Sequence, residues 1–416
     1  MQNYLKISFA LSAFGFLKET RLIEPFLTDY YTSYDGVTEE VINREIFPVG
    51  TYSHMIQLLI IFLITDYLRY KPLIIVLGLS SVSIWGIMLL VKAKLGLQII
   101  EVIYGTFCAC EVAYYSYIYA KTDKQHYQIV TSHTRAAVLL GKFFSATLSQ
   151  LIVYFFHDAD NINYRQLNFI TFIFQVVTAI WSIFFIPSVN RSIYFHCKEI
   201  ENVESTKQSF SSAFMLIWEH FKTSYRNETV LLWCIFYAFS FCLYFQITAY
   251  IQILWLAIDE YVFWNATVDG CLTLLSAIAM LIAGKIQISF LKKQSTTMIV
   301  LILMSLLQGV FMFFAATALT LLTCYIFYIL NGIAYGFSIT ICATKIAENI
   351  AEDSHGLVFG FNTFIALCIQ TCLTLAIVSS GFKLPAVGQF IVYSVMYFIL
   401  GFFFLVKFLI DWCRSR

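Results

Sequence analysis

The chain has 416 residues, 60% hydrophobic and only 12% charged, with a formal net charge of +1 and a mean hydropathy of +0.77. A soluble domain carries about twice that charged fraction, so these figures exclude a soluble globular protein and leave a polytopic membrane protein. The near-zero net charge removes any electrostatic case for a nucleic-acid partner. The eleven cysteines fall mostly in apolar runs without CxxC spacing, so they read as small buried hydrophobes and give no sign of disulfides or metal ligation.

Taken in chain order, apolar runs of about 20 residues, the length that crosses a bilayer, fall near residues 5–24, 46–66, 72–93, 97–120, 130–156, 166–187, 227–251, 262–288, 296–317, 320–344, 356–380 and 387–410. They predict an all-α membrane protein with twelve transmembrane helices in two six-helix bundles, residues 1–187 and 227–416, joined by a cytoplasmic linker at 188–226. Six spans, a linker and six more is the arrangement of the major facilitator fold. Arg69 and Lys71, Lys121 and Lys124, the linker, Lys292 and Lys293, Lys345, Arg414 and Arg416 all fall on one side. The opposite connections hold few bases, so the positive-inside bias places both termini in the cytoplasm. The first run carries Lys18, Glu19, Arg21 and Glu24 and lacks a small-residue cleavage site, which argues against a cleavable signal peptide.

Between the second and third spans, Thr65-Asp66-Tyr-Leu-Arg69-Tyr-Lys71-Pro72 sets an acid and two bases at a tight cytoplasmic turn. Asp66, Arg69 and Lys71 are candidate gating residues that latch helix ends in one state of an alternating-access cycle; topology-setting charge is the competing reading.

The fourth span carries the most informative residue. Glu111 sits near the middle of an apolar run, where an unpaired acid costs on the order of 3 kcal/mol or more. At about 100° per residue, Glu101, Tyr104, Cys108, Glu111, Tyr114 and Tyr115 share an arc of roughly 140°, one polar and aromatic face on an otherwise apolar helix. Glu111 and Tyr114 present a carboxylate beside a phenol, suited to an amino group and a flat ring. Two kinds of partner would satisfy the acid: a positively charged cargo, or a base from another span, with Lys142, Lys18 and Arg21 as candidates. The residues alone leave both open.

No HExxH, GxSxG or GxxxxGK[ST] string occurs, and no cysteine has a nucleophile context, so neither an enzyme nor a nucleotide-driven pump is expected, and no cofactor or metal.

Glu24-Pro-Phe-Leu, Glu45-Ile-Phe47-Pro48-Val, Asp66-Tyr-Leu-Arg69-Tyr-Lys-Pro, Glu111-Val-Ala-Tyr114-Tyr-Ser-Tyr-Ile-Tyr, Arg135-Ala-Ala-Val-Leu-Leu-Gly and Gly356-Leu-Val-Phe-Gly-Phe-Asn362-Thr-Phe occur in order along the chain. Together they resemble the reduced folate carrier and thiamine transporter family. The resemblance implies a facilitator fold with alternating access, a water-soluble vitamin as cargo, and a multi-pass plasma-membrane protein functional as a monomer.

Charge separates the branches of that family. Folates are dianions, whereas thiamine carries a fixed positive charge, so the two need opposite polarity around them. The folate branch has cations at the positions of Glu111, Gly332 and Gln370, and this chain has none of the three. The resemblance is therefore to the thiamine branch, with thiamine or a related cationic or neutral vitamer as cargo; a folate or organic-anion carrier and a non-transporting vitamin receptor are the alternatives. In that branch Glu24 matches an acid at the substrate and Phe47 an aromatic that stacks on it. Asn265 and Asp269 match polar positions of span 8, and Gln370 a polar position of span 11. With Glu111, Tyr114 and Tyr115 these form the expected substrate site. One departure stands out: Gly50 replaces a tryptophan three residues after the stacking aromatic, which removes one wall and widens the expected pocket.

Overall fold

Bilayer-length apolar runs satisfy their backbone groups internally only as helices or closed barrels, and this chain takes the first route. The computed structural model describes residues 3–34, 36–65, 67–122, 126–156, 163–189, 210–259, 263–289, 294–350 and 355–414, and among them there is no strand. In chain order the helices are α1 (Asn3–Glu19), α2 (Leu27–Thr32), α3 (Glu39–Val41), α4 (Phe47–Thr65), α5 (Lys71–Leu90), α6 (Lys94–Lys121), α7 (Tyr127–Phe156), α8 (Tyr164–Phe184), α9 (Phe210–Tyr225), α10 (Glu228–Ile258), α11 (Asn265–Ser289), α12 (Gln294–Ala316), α13 (Leu321–Glu348), α14 (His355–Leu373) and α15 (Ala386–Arg414). A π-helical turn, Ile42–Ile46, joins α3 to α4, and another, Thr374–Ser379, follows α14.

Among the described residues eleven segments are long and apolar enough to cross a membrane. The first expected span is where the structure departs from the sequence reading. The run 5–24 is not one continuous helix: α1 has 17 residues and stops at Glu19, and the chain resumes regular structure only in a 3₁₀ turn, Glu24–Phe26. Side chains of other helices take up the backbone groups that the break releases. Gln175 of α8 donates to the main-chain oxygen of Thr20 at 3.1 Å and reaches those of Leu17 and Lys18 at 3.4 Å. Ser149 of α7 donates to the Leu22 oxygen at 2.7 Å, and the Ile23 amide donates to the Thr171 hydroxyl at 3.3 Å. Broken backbone inside a bilayer persists only when satisfied in this way.

The helix pairings repeat. In the first half α4 and α5 pack on α6, α5 also on α8, and α1 on α7 and α8; in the second, α11 and α12 pack on α13, α12 also on α15, and α10 on α13 and α15. The α4–α6, α5–α6, α5–α8 and α1–α8 pairs thus recur six spans later as α11–α13, α12–α13, α12–α15 and α10–α15. Two units result: Met1–Tyr225 with Glu352–Phe364, and Arg226–Ala351 with Ile365–Arg416.

The expected linker holds helix α9, which the sequence reading passed over as polar chain. Its Phe221 ring stands edge-on to Phe361, centroids 4.7 Å apart, and the Tyr225 hydroxyl donates to Asn362 Oδ1 at 2.8 Å. α1 and α7 approach closely at Gly141, where an added Cβ would lie 2.9 Å from Phe16 Cα. Only glycine permits that backbone contact.

Candidate functional site

The break after Glu19 concentrates charge. Lys18 is wholly buried, and its ammonium pairs with the Glu111 carboxylate of α6 and with Glu19 Oε1 at 2.9 Å. The second Glu19 oxygen takes Arg21 at 2.8 Å and, from α7, Lys142 at 3.7 Å. Arg21 continues the chain of pairs to Glu24 at 3.1 Å. A buried charge stripped of its partner costs several kcal/mol, which explains why these ions occur as a connected set.

Aromatic rings close around the ammonium. Lys18 Nζ lies 5.4 Å from the Tyr114 ring centroid and 5.8 Å from those of Phe107 and Tyr115, and Arg21 is 5.5 Å from Phe107. A cation over ring faces is stabilised by the ring quadrupole, most strongly where water is excluded. Tyr114 is fully buried and donates its hydroxyl to the Leu11 oxygen at 2.9 Å, which pins α6 to α1 and aims the ring at Lys18. Tyr115 stands edge-on to Tyr114, centroids 5.0 Å apart. The Glu111 side chain keeps 31% of its surface open, so this carboxylate is approachable while Lys18 behind it is not.

Glu111 is therefore a paired acid. The base that satisfies it is Lys18, one of the three weighed from sequence, and the argument from a stranded carboxylate falls away. Glu101, one of the polar-face residues of α6, is the acid that the helix leaves without a base: it is 7% exposed, and among the described residues its carboxylate makes no hydrogen bond or ion pair. It stands where a Cβ on Gly50 would have to go. The space opened by glycine at position 50 is thus occupied by Glu101, and the expected widening of the pocket is not what the structure has there. Tyr104, one turn on, stands within electrostatic reach of Arg21, Glu24 and Glu101.

The other expected residues fall as follows. Glu24 is in the same ion chain as Glu111, with 40% of its side chain exposed. Half-buried Phe47 begins α4 with its ring 6.3 Å from that of Tyr31. Glu24, Phe47, Glu111, Tyr114 and Tyr115 all lie in the first unit, and Asn265, Asp269 and Gln370 in the second. Asn265, buried at the start of α11, accepts a hydrogen bond from the Tyr325 hydroxyl at 2.8 Å. Asp269, one turn later, is half-buried, and Gln370 is buried on α14. At the expected gating turn Asp66 lies outside the described residues, as do the expected basic pair Lys292 and Lys293. Arg69 and Tyr70 adopt left-handed backbone at φ 59° and 64°, and the Lys71 amide donates to the Arg69 oxygen at 2.7 Å. Two consecutive non-glycine residues there store backbone strain, a common mark of switch regions.

The sequence reading weighed Lys18, Arg21 and Lys142 as partners of Glu111 or of an anionic cargo and placed Glu101 on the polar face of its span without a substrate role, while Glu19 had none. The available signal was the density of charge in Lys18-Glu19-Thr-Arg21-Leu-Ile-Glu24, too high for an uninterrupted lipid-facing helix.

Residues 2–392 match the family described as Reduced folate carrier. Thiamine transporter 1 of Homo sapiens is 33% identical over 95% of this chain and 88% of its own length. Folate-like transporter 3 of Caenorhabditis elegans is 32% identical over 96% of this chain and 95% of its own. Among solved structures, a D-xylose-proton symporter superposes with a TM-score of 0.67 at 12% identity, covering 97% of each chain, which establishes the shared transporter fold. With a family match along nearly its whole length, the chain belongs to the reduced folate carrier family.

Proposed function

We propose that this chain carries a water-soluble, ring-containing vitamin, thiamine or a closely related cationic or neutral vitamer, across the plasma membrane by alternating access. The lobes that alternate are residues 1–187 and 227–416, joined through the linker 188–226, in a monomer with both termini cytoplasmic. The chain is a multi-pass membrane protein and not an enzyme; its family and the solved structures that share its fold are transporters.

The observation that carries the reading is the cage of Glu111, Phe107, Tyr114 and Tyr115, which holds an ammonium already. Acid balance points the same way. Glu101, on the same helix as Glu111, is buried without a base beside it among the described residues, a further carboxylate for a positively charged or amino-bearing ring. In this reading Glu24, Phe47, Glu111, Tyr114 and Tyr115 from the first unit and Asn265, Asp269 and Gln370 from the second contact cargo, while Asp66, Arg69 and Lys71 gate.

A second reading, a folate or organic-anion carrier, draws on a specific observation: the three bases that a dianion would need converge in one cluster. Uptake of labelled thiamine into cells or proteoliposomes, competed with folate, decides between them. The expected result is thiamine uptake resistant to folate and reduced at least tenfold in Glu111→Gln; uptake of folate with no competition by thiamine overturns it. Binding without accumulation would indicate a receptor.

A further inference from the structure

Lys18 and the cargo of the proposed function want the same place. An organic cation seeking a carboxylate beside aromatic rings would choose Glu111 with Phe107, Tyr114 and Tyr115, and the Lys18 ammonium sits on that carboxylate and over those three rings. Lys18 is supplied by the chain itself, from the last turn of α1 beside the break. We propose that Lys18 is a specificity-determining residue, a tethered competitor that a fixed cation must push off Glu111 before it can bind, whereas a neutral ring need not.

Three features make the displacement feasible. The Glu111 side chain is partly exposed and Lys18 is buried, so cargo meets the carboxylate before the lysine. The ammonium has a second acceptor in place, Glu19 Oε1 at 2.9 Å, and stays paired when it lets go of Glu111. Glu19 is held in turn by Arg21 and Lys142 through its other oxygen, so that acceptor does not follow the lysine. The exchange is thus one cation for another at Glu111, with no buried charge left alone at any stage. A neutral vitamer that only donates a hydrogen bond to Glu111 leaves Lys18 where it is. The chain as it stands therefore discriminates against fixed cations relative to its own cage without the lysine.

This inference rests on the vitamin-carrier reading, and its test separates the two. The full-length protein, purified into lipid nanodiscs at neutral pH, is titrated with thiamine as the fixed cation and pyridoxine as the neutral ring, with a melting temperature recorded for each variant. Lys18→Met is expected to tighten thiamine at least tenfold while pyridoxine changes less than threefold. Lys18→Arg retains the charge and so the fold, and its guanidinium grips a carboxylate with two donors. It is expected to weaken thiamine at least fivefold and leave pyridoxine alone, a result that stands even where the methionine variant does not fold. In Lys18→Met combined with Glu111→Gln the gain for thiamine disappears. Thiamine and pyridoxine moving together, or a thiamine affinity indifferent to Met, Lys and Arg at position 18, overturns the inference and leaves the carrier reading intact. A folded wild-type protein that binds neither probe overturns both.

Discussion

The two units share their helix pairings and differ in what they bury. In the second unit, beside the Lys345–Glu348 ion pair near the end of α13, several interior polar contacts join neutral groups: Gln246 donates to the Tyr393 hydroxyl at 3.1 Å and accepts from Thr374 at 3.2 Å, Ser305 donates to the Tyr397 main-chain oxygen at 2.8 Å, and Ser394 donates to the Gly309 oxygen at 2.7 Å. The first unit holds Lys18, Glu19, Arg21 and Glu111 as a chain of ion pairs around a broken helix. Neutral pairs fix one geometry, because an unmade hydrogen bond in the interior has no alternative partner. Ion clusters with more acceptors than each cation needs have several arrangements of similar energy. Under the proposed function the repeat would divide labour, with the first half meeting the charge of the cargo and the neutral contacts of the second acting as frame.

Breaking the charged half at its centre gives the largest expected effect. Glu19→Leu strips Lys18, Arg21 and Lys142 of their shared acid, a loss of about 3–5 kcal/mol for a buried pair broken on one side. The variant is expected not to accumulate as a monodisperse protein in detergent, and wild-type yield and melting temperature would refute the cluster's structural role. Next comes Gly50→Trp, where the indole meets the Glu101 carboxylate and overpacking costs about 1–3 kcal/mol. A melting temperature several degrees lower, partly restored by Glu101→Ala in the same chain, is the expected pattern; restoration absent, Glu101 is not the obstacle. The neutral half provides the contrast. Gln246→Leu removes contacts to Tyr393 and Thr374 and is expected to cost about 1–2 kcal/mol, a modest fall in melting temperature without change in the preference for cation over neutral cargo.

An effect of pH concerns Asp29, which lies on α2 beyond the end of the first expected span. Burial, with the nearby Glu39 charge, pushes its carboxyl up to about 7. An unfolded aspartate ionises near pH 4, so the folded chain resists ionisation and stability from this group falls as pH rises from about 4 to about 7. Asp29→Asn is expected to flatten that part of the melting-temperature profile by a few degrees; an unchanged slope would assign it to another group.

How much of this was legible in the sequence follows from the range of the forces involved. Eleven of the twelve expected spans are written locally, as runs of apolar residues of the right length. The break in the first is not, because Leu22 and Ile23 continue the apolar pattern, and what stabilises an open backbone there is Ser149, Thr171 and Gln175, more than 120 residues away along the chain. The face of α6 carrying Glu101, Glu111, Tyr114 and Tyr115 could be read from helical periodicity alone. Which base reaches Glu111 could not, since Lys18, Arg21 and Lys142 are equivalent until α1 is placed on α7. The glycine at 50 was visible as a missing wall, and only packing shows that a carboxylate from α6 has moved into the gap.

The main-chain contact between Gly141 and Phe16 acts as a gauge block for all of this. Phe16 is two residues before Lys18, so the thickness of one hydrogen atom on α7 decides how far the lysine can extend toward its partner on α6. A methyl group at 141, touching neither ion, would shim the two helices apart and lengthen that reach, so under the proposal for Lys18 the preference among cargoes would shift without any change to the cage itself.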